Sequence, residues 1–462
     1  MTVTFNGAPD NLLTYTSPSP KLVLGPSGTY RYAPHNLYVN SASPANQSIT
    51  VVSGADYTVV ITGSVSVTAS GAATGTWTAG TTNFTAATGT LTLGSTSGAG
   101  TVHVRRTNSD TTYLQTGASP RYGLPFEWNS SGVLQGILVE DARTNLLLRS
   151  SAFNNAAWLP GASGTGVAGS VSAVSDVAPN GATTVYEITL DRGAGGTIGD
   201  QSNLTCSFTA AAATSYAGSI WVKASAAGDV GKQVAVRHAA ASGYTVITLT
   251  AAWQQLVGVE TSGSAGTKTF DIANRGTVTS ATSVTVRLWN AQVEAGAFAT
   301  SPIETFGATV TRAADKITLA TSAFPALGSA FGMVIESELL GDGAGYPHSA
   351  RIYDVANNNI ASNFISPLLD AKLYAIAGGV VSADLSSGVT ITKGVSYKQA
   401  MSFEANRFAV SANGAAVTTD ASGAVPSGMT TLALGGISAL RIRKLLVVPH
   451  SYSDGQLQSL SA

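Results

Sequence analysis

Few residues of this chain could do chemistry, and they are scattered. Glu336 and Glu338 stand two apart in an apolar strand pattern and so share one face. Paired carboxylates are what glycosidases use to cleave sugar bonds. The third acidic position such enzymes place beyond the pair is absent, because the chain continues Leu339-Leu340-Gly341, so a solvated strand face is expected. The run Gly228-Asp229-Val230-Gly231-Lys232 looks like a phosphate loop only superficially. A working loop needs glycine two residues earlier and Ser or Thr after the lysine, where this chain has Ala226 and Gln233. His35, His103, His238, His348 and His450 show no ligand spacing and are expected at the surface or in turns. Asp354, Asn357, Asn358 and Asn359 could ligate calcium, and are equally good turn residues. No catalytic or metal-ligating residue is therefore assigned and no cofactor is expected, a structural calcium remaining open.

Sugar binding has more support. In the segment 219–223, Ile220 and Val222 point one way, so Trp221 and Lys223 point the other. By the same alternation Arg237 faces away from Val234 and Val236, and Arg287 and Trp289 face away from Val286 and Leu288. Exposed rings stack on the C–H faces of a sugar while flanking donors take its hydroxyls or carboxylates. Trp221, Lys223, Arg237, Arg287 and Trp289 are thus the candidate carbohydrate-binding residues. The competing reading is that they pack against a neighbouring module or subunit. Trp158 and Trp253 are assigned to the core.

The elements that must position these residues are short strands. Apolar residues recur with period two at Tyr57, Val59 and Ile61, at Leu91 and Leu93, at Val102 and Val104, and at Val284, Val286 and Leu288. Gly and Ser turns separate them at sandwich-like spacing. Asn413-Gly414 is a strong hairpin signal, because a type I′ turn needs positive φ at both central residues. Ser453-Asp454-Gly455-Gln456 is a capping-box pattern opening one short helix that buries Leu457 and Leu460. Composition agrees: 44% of the 462 residues are apolar but only 11% are charged, against about 25% in typical soluble domains. The fold class is all-β, in tandem sandwich or jelly-roll modules. A net charge of −1 gives no global basic field to hold nucleic acid or an anionic membrane. One cysteine, Cys206, excludes an intrachain disulfide and is expected as a small buried hydrophobe. No stretch reaches the ~18 apolar residues of a membrane-spanning helix, and the N-terminus carries no secretory signal pattern.

The seam at 126–158 organises the rest. It holds the turn Asn129-Ser130-Ser131-Gly132, an apolar strand at Ile137, Leu138 and Val139, the acidic pair Glu140-Asp141, then Ala142-Arg143-Thr144-Asn145-Leu146-Leu147, and the aromatics Phe153 and Trp158. Residues 36–117 read as a shorter copy of 145–303. Asn36-Leu37 matches Asn145-Leu146, the turn Gly25-Pro26-Ser27-Gly28 matches Asn129–Gly132, and Gln115-Thr116-Gly117-Ala118 is aligned with the run from Gln292 to Ala297.

The seam closely resembles the junctions of tailed-phage head-spike and tail-fibre appendage proteins. Residues 216–225 and 284–303 are similar to carbohydrate-binding-module-like jelly rolls of phage fibres. The strand-plus-helix ending of the chain resembles concanavalin A-like (laminin G-like) jelly rolls, except that Lys398 stands where many of those carry His. The division this implies is a docking arm (1–35), a small β-sandwich (36–125), a linker strand (126–144), a carbohydrate-binding-module-like jelly roll (145–311) and a concanavalin A-like jelly roll (312–462). Five prolines in the arm (9, 18, 20, 26 and 34) oppose helix and a central strand. The resemblance implies a virion surface protein made in the host cytoplasm and docked through its arm onto other virion proteins. It would be a homo-oligomer that binds host capsule or lipopolysaccharide without catalysis, with no nucleic-acid partner and no membrane insertion. A purely structural connector and a polysaccharide depolymerase are the rival readings.

Overall fold

The computed structural model describes residues 2–4, 13–239, 243–323, 326–342, 345–436 and 438–462. Its architecture is all-β, with antiparallel sheets packed face to face and, among the described residues, one α-helix, Asp454–Ser461. Ser453 caps that helix in a reciprocal capping box with Gln456. Leu457 is fully buried beneath it, and Leu460 packs partly against the same cluster. Asn413 (φ 47°) and Gly414 (φ 72°) both take the left-handed conformation that their turn demands.

Three cores lie along the chain. The first joins a sheet of Gly80–Thr85, Asp56–Ile61 and Val102–Arg106 to one of Gln47–Thr50, Thr90–Ser97, Ser66–Gly71 and Gly75–Trp77, over Val59, Val67, Leu91 and Val104. The second packs Trp158–Ser163, Gln201–Ala210, Gly266–Arg275, Gln233–Arg237 and Thr245–Thr248 against Val171–Ser175, Thr184–Asp191, Ser283–Ala295, Ser215–Ala224 and Gln254–Thr261. Phe153, Trp158 and Cys206 lie in its core. The third packs an eight-stranded sheet, centred on Ala330–Asp342 and Ser438–Val448, against a seven-stranded one containing Ala350–Tyr353, Ile360–Ile365, Asp370–Ala377 and Val380–Thr390. Burying each large apolar side chain here contributes about 1.5–3 kcal/mol.

The arm and the linker do not behave as the sequence suggested. Thr2–Thr4 pairs with Ser438–Val448, and Thr14–Thr16 pairs with Lys316–Ala320. Phe126–Trp128 and Leu134–Glu140 form a hairpin whose second strand also pairs with Ser438–Val448. The third sandwich is therefore built partly from residues preceding the other two. An arm expected to dock on another protein spends these backbone groups on edges of its own sheets, where exposed N–H and C=O groups would otherwise invite foreign strands.

The seam motif is explained by a buried ion cluster. Lys21 bonds both Asp315 and Glu140, the latter at 3.0 Å, and donates to the carbonyl of Leu138 at 2.8 Å. Arg312 reaches Glu140 at 2.9 Å and the carbonyl of Asp141 at 2.7 Å. Ser301 donates to Glu140 through its amide and its hydroxyl. Burial alone would push the Glu140 carboxyl up, but Arg312 and Lys21 outweigh it and hold it down at about 2. These side chains come from the arm, the linker, the end of the second module and the start of the third, so the cluster ties all of them at one point.

The internal repeat is visible atom by atom. Asn36 donates to the carbonyls of Val102 and Leu114 and accepts from the amides of Tyr38 and Val104. Asn145 donates to Ala291 and Ile303 and accepts from Leu147 and Val293. Five residues after each asparagine, Ser41 and Ser150 exchange reciprocal amide–hydroxyl bonds with Thr116 and Thr305. The closing match is therefore Leu114-Gln115-Thr116 with Ile303-Glu304-Thr305, which corrects the alignment expected with 292–297. The two turns also meet: a side-chain carbon at Gly28 (φ 73°) would lie 2.9 Å from Ser130 O, and one at Gly132 (φ 75°) 2.6 Å from Pro26 O.

Candidate functional site

Strand alternation placed Trp221, Lys223, Arg287 and Trp289 on the outer face of one sheet of the second module, and they are there: Trp221 pairs in register with Trp289, and Lys223 with Arg287. The face is not open. Tyr30, from the strand Tyr30–Tyr32 of the arm hairpin, lies against both indoles, with ring centroids 5.6 Å from Trp221 and 5.8 Å from Trp289. Tyr30 is held there by its amide on the carbonyl of Pro179 (2.8 Å), while Asn108 bridges the carbonyls of Tyr30 and Asn180. Trp289 is only 4% exposed, in a cluster with Ala178 and Val185. The indoles expected to stack on sugar thus pack on the arm, because a short hairpin from elsewhere in the chain supplies a matching ring.

The charged members of the set are engaged as well. Lys223 pairs with Asp176; Arg287 pairs with Asp176 at 2.6 Å and Glu187 at 3.3 Å. Burial is the largest single influence and pushes the Asp176 carboxyl up, but hydrogen bonds from Lys223 and Arg287 together outweigh it and hold it below the usual carboxylate range. Trp253, assigned to the core from sequence, sits instead on this outer face: its indole donates to Val177 O at 2.8 Å, and Lys223 lies over its ring at 5.3 Å. Arg237 belongs to the other sheet, beside Asp271 (3.4 Å) and Tyr244, so the five residues do not make one site.

Other expectations change too. Glu338 is not solvated; it is 5% exposed and bonded by Arg441 (2.9 Å) and Arg443 (3.3 Å), Arg441 also binding Glu127. The cause is register, which sets Glu338 directly opposite Arg441. His35, His103 and His238 are buried rather than superficial, each with a ring nitrogen on a backbone carbonyl. Burial is the main cause that lowers His35 to about 3. The Asp354 carboxylate accepts from the Asn358 amide and the Asn359 side chain, the geometry of a turn. Among the described residues, no group of three or more His, Cys, Asp or Glu is arranged to hold a metal ion.

An open aromatic face exists elsewhere, on the outer side of the seven-stranded sheet of the third module. Inward-pointing Ala350, Ile352, Leu373 and Ala375 are buried in the core, which turns Arg351, Tyr353, Lys372 and Tyr374 outward. Register aligns Arg351 with Ser362, Tyr374 and Asp384 in one row, and Phe364 with Lys372 and Ser386 in the next. Phe364 meets Tyr346 at 5.3 Å and Tyr374 at 5.6 Å, both edge to face. Lys372 lies over the Phe364 ring at 5.4 Å and pairs with Asp384 at 2.6 Å; Arg351 lies over Tyr353 at 5.0 Å. Phe364, Lys372 and Tyr374 are half-buried, and Tyr346 is 58% exposed. Ring faces beside paired donors and acceptors are what a saccharide can stack on and bond to. The alternation of Lys372, Tyr374 and Ile376 around buried Leu373 and Ala375 was the sequence signal for this face.

No family model matches the chain, and no curated protein matches it. Solved structures similar to it include the CBM40 of the Ruminococcus gnavus IT-sialidase bound to α2,3-sialyllactose. That match has 16% identity and a TM-score of 0.26, over 30% of this chain and 84% of that one. A CBM22 tandem domain of Paenibacillus barcinonensis Xyn10C matches at 10% identity and a TM-score of 0.25, over 67% of this chain and 98% of that one. The tail fiber protein gp63.1 of E. coli phage G7C matches at 10% identity and a TM-score of 0.22, over 68% and 41%. Among the described residues, no helix is long and apolar enough to cross a membrane.

Proposed function

We propose that this chain is a non-catalytic carbohydrate-binding subunit of a virion appendage, attaching a phage or phage-like particle to host surface polysaccharide. Its contact surface in this reading is the outer face of the third module. The observation that carries it is the half-exposed Phe364–Tyr374 pair flanked by Lys372 and Asp384. Stacking on two rings and bonding to one ion pair gives a weak single contact, which several copies on one particle would multiply. A connector whose faces only meet other subunits is the second reading; the Tyr30-covered indoles favour it, since they show one outward aromatic patch used for packing.

The test is a glycan array, followed by adsorption of the protein to encapsulated and capsule-deficient hosts. Tyr374→Ala combined with Lys372→Ala should weaken glycan binding at least about tenfold, the loss of ~1.4 kcal/mol. Both residues face solvent, so stability should stay within about 1 kcal/mol of the parent. Binding that survives the double substitution, or no glycan dependence at all, would overturn the assignment. Release of reducing ends from purified capsule would instead make the protein an enzyme.

A further inference from the structure

The buried cluster at the seam holds reactive groups that the proposed function leaves unused. The side chains of Lys21, Glu140 and Asp315 are each no more than 2% exposed, and lysine is among the residue types least often buried. The adjoining residues Leu22, Val23, Leu138 and Val139 are buried too, so the site excludes bulk water. Lys21 Nζ contacts Asp315 Oδ2 and lies 3.0 Å from Glu140 Oε2. The backbone fixes all three residues. The Asp315 amide donates to the Glu140 carbonyl at 2.9 Å, and the Glu140 amide donates back to Asp315 Oδ2 at 2.8 Å. The Lys21 carbonyl accepts from the Ala33 amide at 2.8 Å. Tyr15 donates its hydroxyl to the other carboxyl oxygen, Asp315 Oδ1, at 2.5 Å.

An amine pressed against a carboxyl in a dry site is the reactant pair of an amide condensation. The carboxyl carbon is one bond beyond the oxygen that Lys21 touches, so little rearrangement brings the amine to the near-attack separation of about 3–3.5 Å. Holding both groups in place replaces a chance encounter between them and lowers the barrier accordingly. Once nitrogen bonds to carbon, negative charge gathers on Oδ1, where the Tyr15 hydroxyl already points as an oxyanion donor. Although burial favours its neutral form, Arg312 and Lys21 hold Glu140 ionised, so it can accept a proton. Charge balance favours the same outcome. Condensation removes one cation and one carboxylate, and leaves Arg312 on Glu140 at 2.9 Å as a balanced pair. A buried ion pair carries a desolvation cost that a neutral amide avoids.

We infer that Lys21 and Asp315 join through a side-chain amide that the fold itself forms, with Glu140 carrying the proton. The Lys21 ammonium first gives a proton to Asp315 Oδ2. The freed amine attacks the carboxyl carbon, the C–N bond forms, and Oδ1 takes the negative charge beside Tyr15. Glu140 then removes a proton from the nitrogen and delivers it to the Oδ2 hydroxyl. The carbonyl re-forms on Oδ1 and one water leaves; no oxidant, reductant or cofactor is consumed. The linked residues are 294 apart in sequence, so the amide encloses the first and second sandwiches in one covalent loop. A pull along the chain then bypasses both of them. The bond does not depend on what the chain binds.

The test is the intact mass of the full chain, purified in its folded form and measured after denaturation. The parent is expected to be lighter than its sequence by one water, and a digest is expected to yield a branched peptide joining Lys21 to Asp315. Lys21→Arg keeps the cation and is expected to return the full sequence mass. Asp315→Asn is expected to link with loss of ammonia in place of water, because the leaving group changes with the side chain. Glu140→Gln is expected to be mostly unlinked at purification, since a missing proton carrier slows such a step at least about a hundredfold. A parent at full sequence mass overturns the inference, and that reading stands even where a variant fails to fold. So does a water deficit that persists in Lys21→Arg or that the digest places elsewhere in the chain. Undiminished linkage in a folded Glu140→Gln overturns the role given to the glutamate.

Discussion

Two outward faces of this chain carry the same ingredients and meet different fates. The second module presents Trp221, Trp289, Lys223 and Arg287; the third presents Phe364, Tyr374, Lys372 and Arg351. On the first, Tyr30 fills the space above the indoles and Asp176 takes both cations. On the second, the rings meet one another edge to face and stay half open, with Lys372 paired to Asp384 at the margin. The difference teaches that strand alternation decides which side of a sheet a residue faces, but not what lies over that side. Coverage is a property of a hairpin more than 180 residues away in sequence, and no local pattern encodes it.

The comparison can be broken most directly at the covered face. Trp289→Ala should cost about 3–5 kcal/mol, the range for emptying a buried aromatic site, whereas Phe364→Ala should cost about 1 kcal/mol or less; urea unfolding of the two variants reads the gap. Equal losses would mean that the faces are equally packed. Tyr30→Ala should cost about 1–3 kcal/mol, since it removes two ring contacts worth ~0.5–1.5 kcal/mol each. It should also shift tryptophan emission to longer wavelength while leaving glycan binding unchanged. If glycan binding rises instead, the arm hairpin is hiding a usable platform.

Acid stability sharpens the contrast further. Burial, and then Arg351, lower His348 to about 4, and His35 stands at about 3. Both histidines are held neutral, so the folded state binds fewer protons than the unfolded chain once pH falls below about 6.5. Stability is then complete above that pH and declines toward 4 by a little over 1 kcal/mol per pH unit for each. Asp176, on the covered face, has the opposite place in the scale. Its carboxyl is depressed, so its contribution is present above the usual carboxylate pKa and fades only below it. His348→Gln should flatten the decline between pH 6 and 4, and Asp176→Asn should not; a decline unchanged by His348→Gln would remove this histidine from the account.

Much of the fold could be read before any coordinates. Period-two patterns mark strands such as Val102–Arg106 and Ser283–Ala295, the Asn413-Gly414 turn follows from φ alone, and Ser453 and Gln456 announce the final helix. Even the duplication was legible from two asparagines, because a side chain that must satisfy four backbone groups at once tolerates no substitute. The candidate site was read less well. Glu338 was expected in solvent because its arginine partners lie a hundred residues on, at Arg441 and Arg443, and Trp253 was expected in the core because its indole gives no sign of Val177.

By itself the chain determined its class, its turns, its modules' inward faces and the bonding roles of Asn36 and Asn145, all consequences of backbone geometry acting over a few residues. Only tertiary structure decided that the arm would complete the third sandwich, that Lys21, Glu140, Arg312 and Asp315 would meet in one buried cluster, and which aromatic face would remain open. Those outcomes depend on which sheet edges and ring faces come together after the modules form, and such contacts are set by long-range packing rather than by neighbours in sequence.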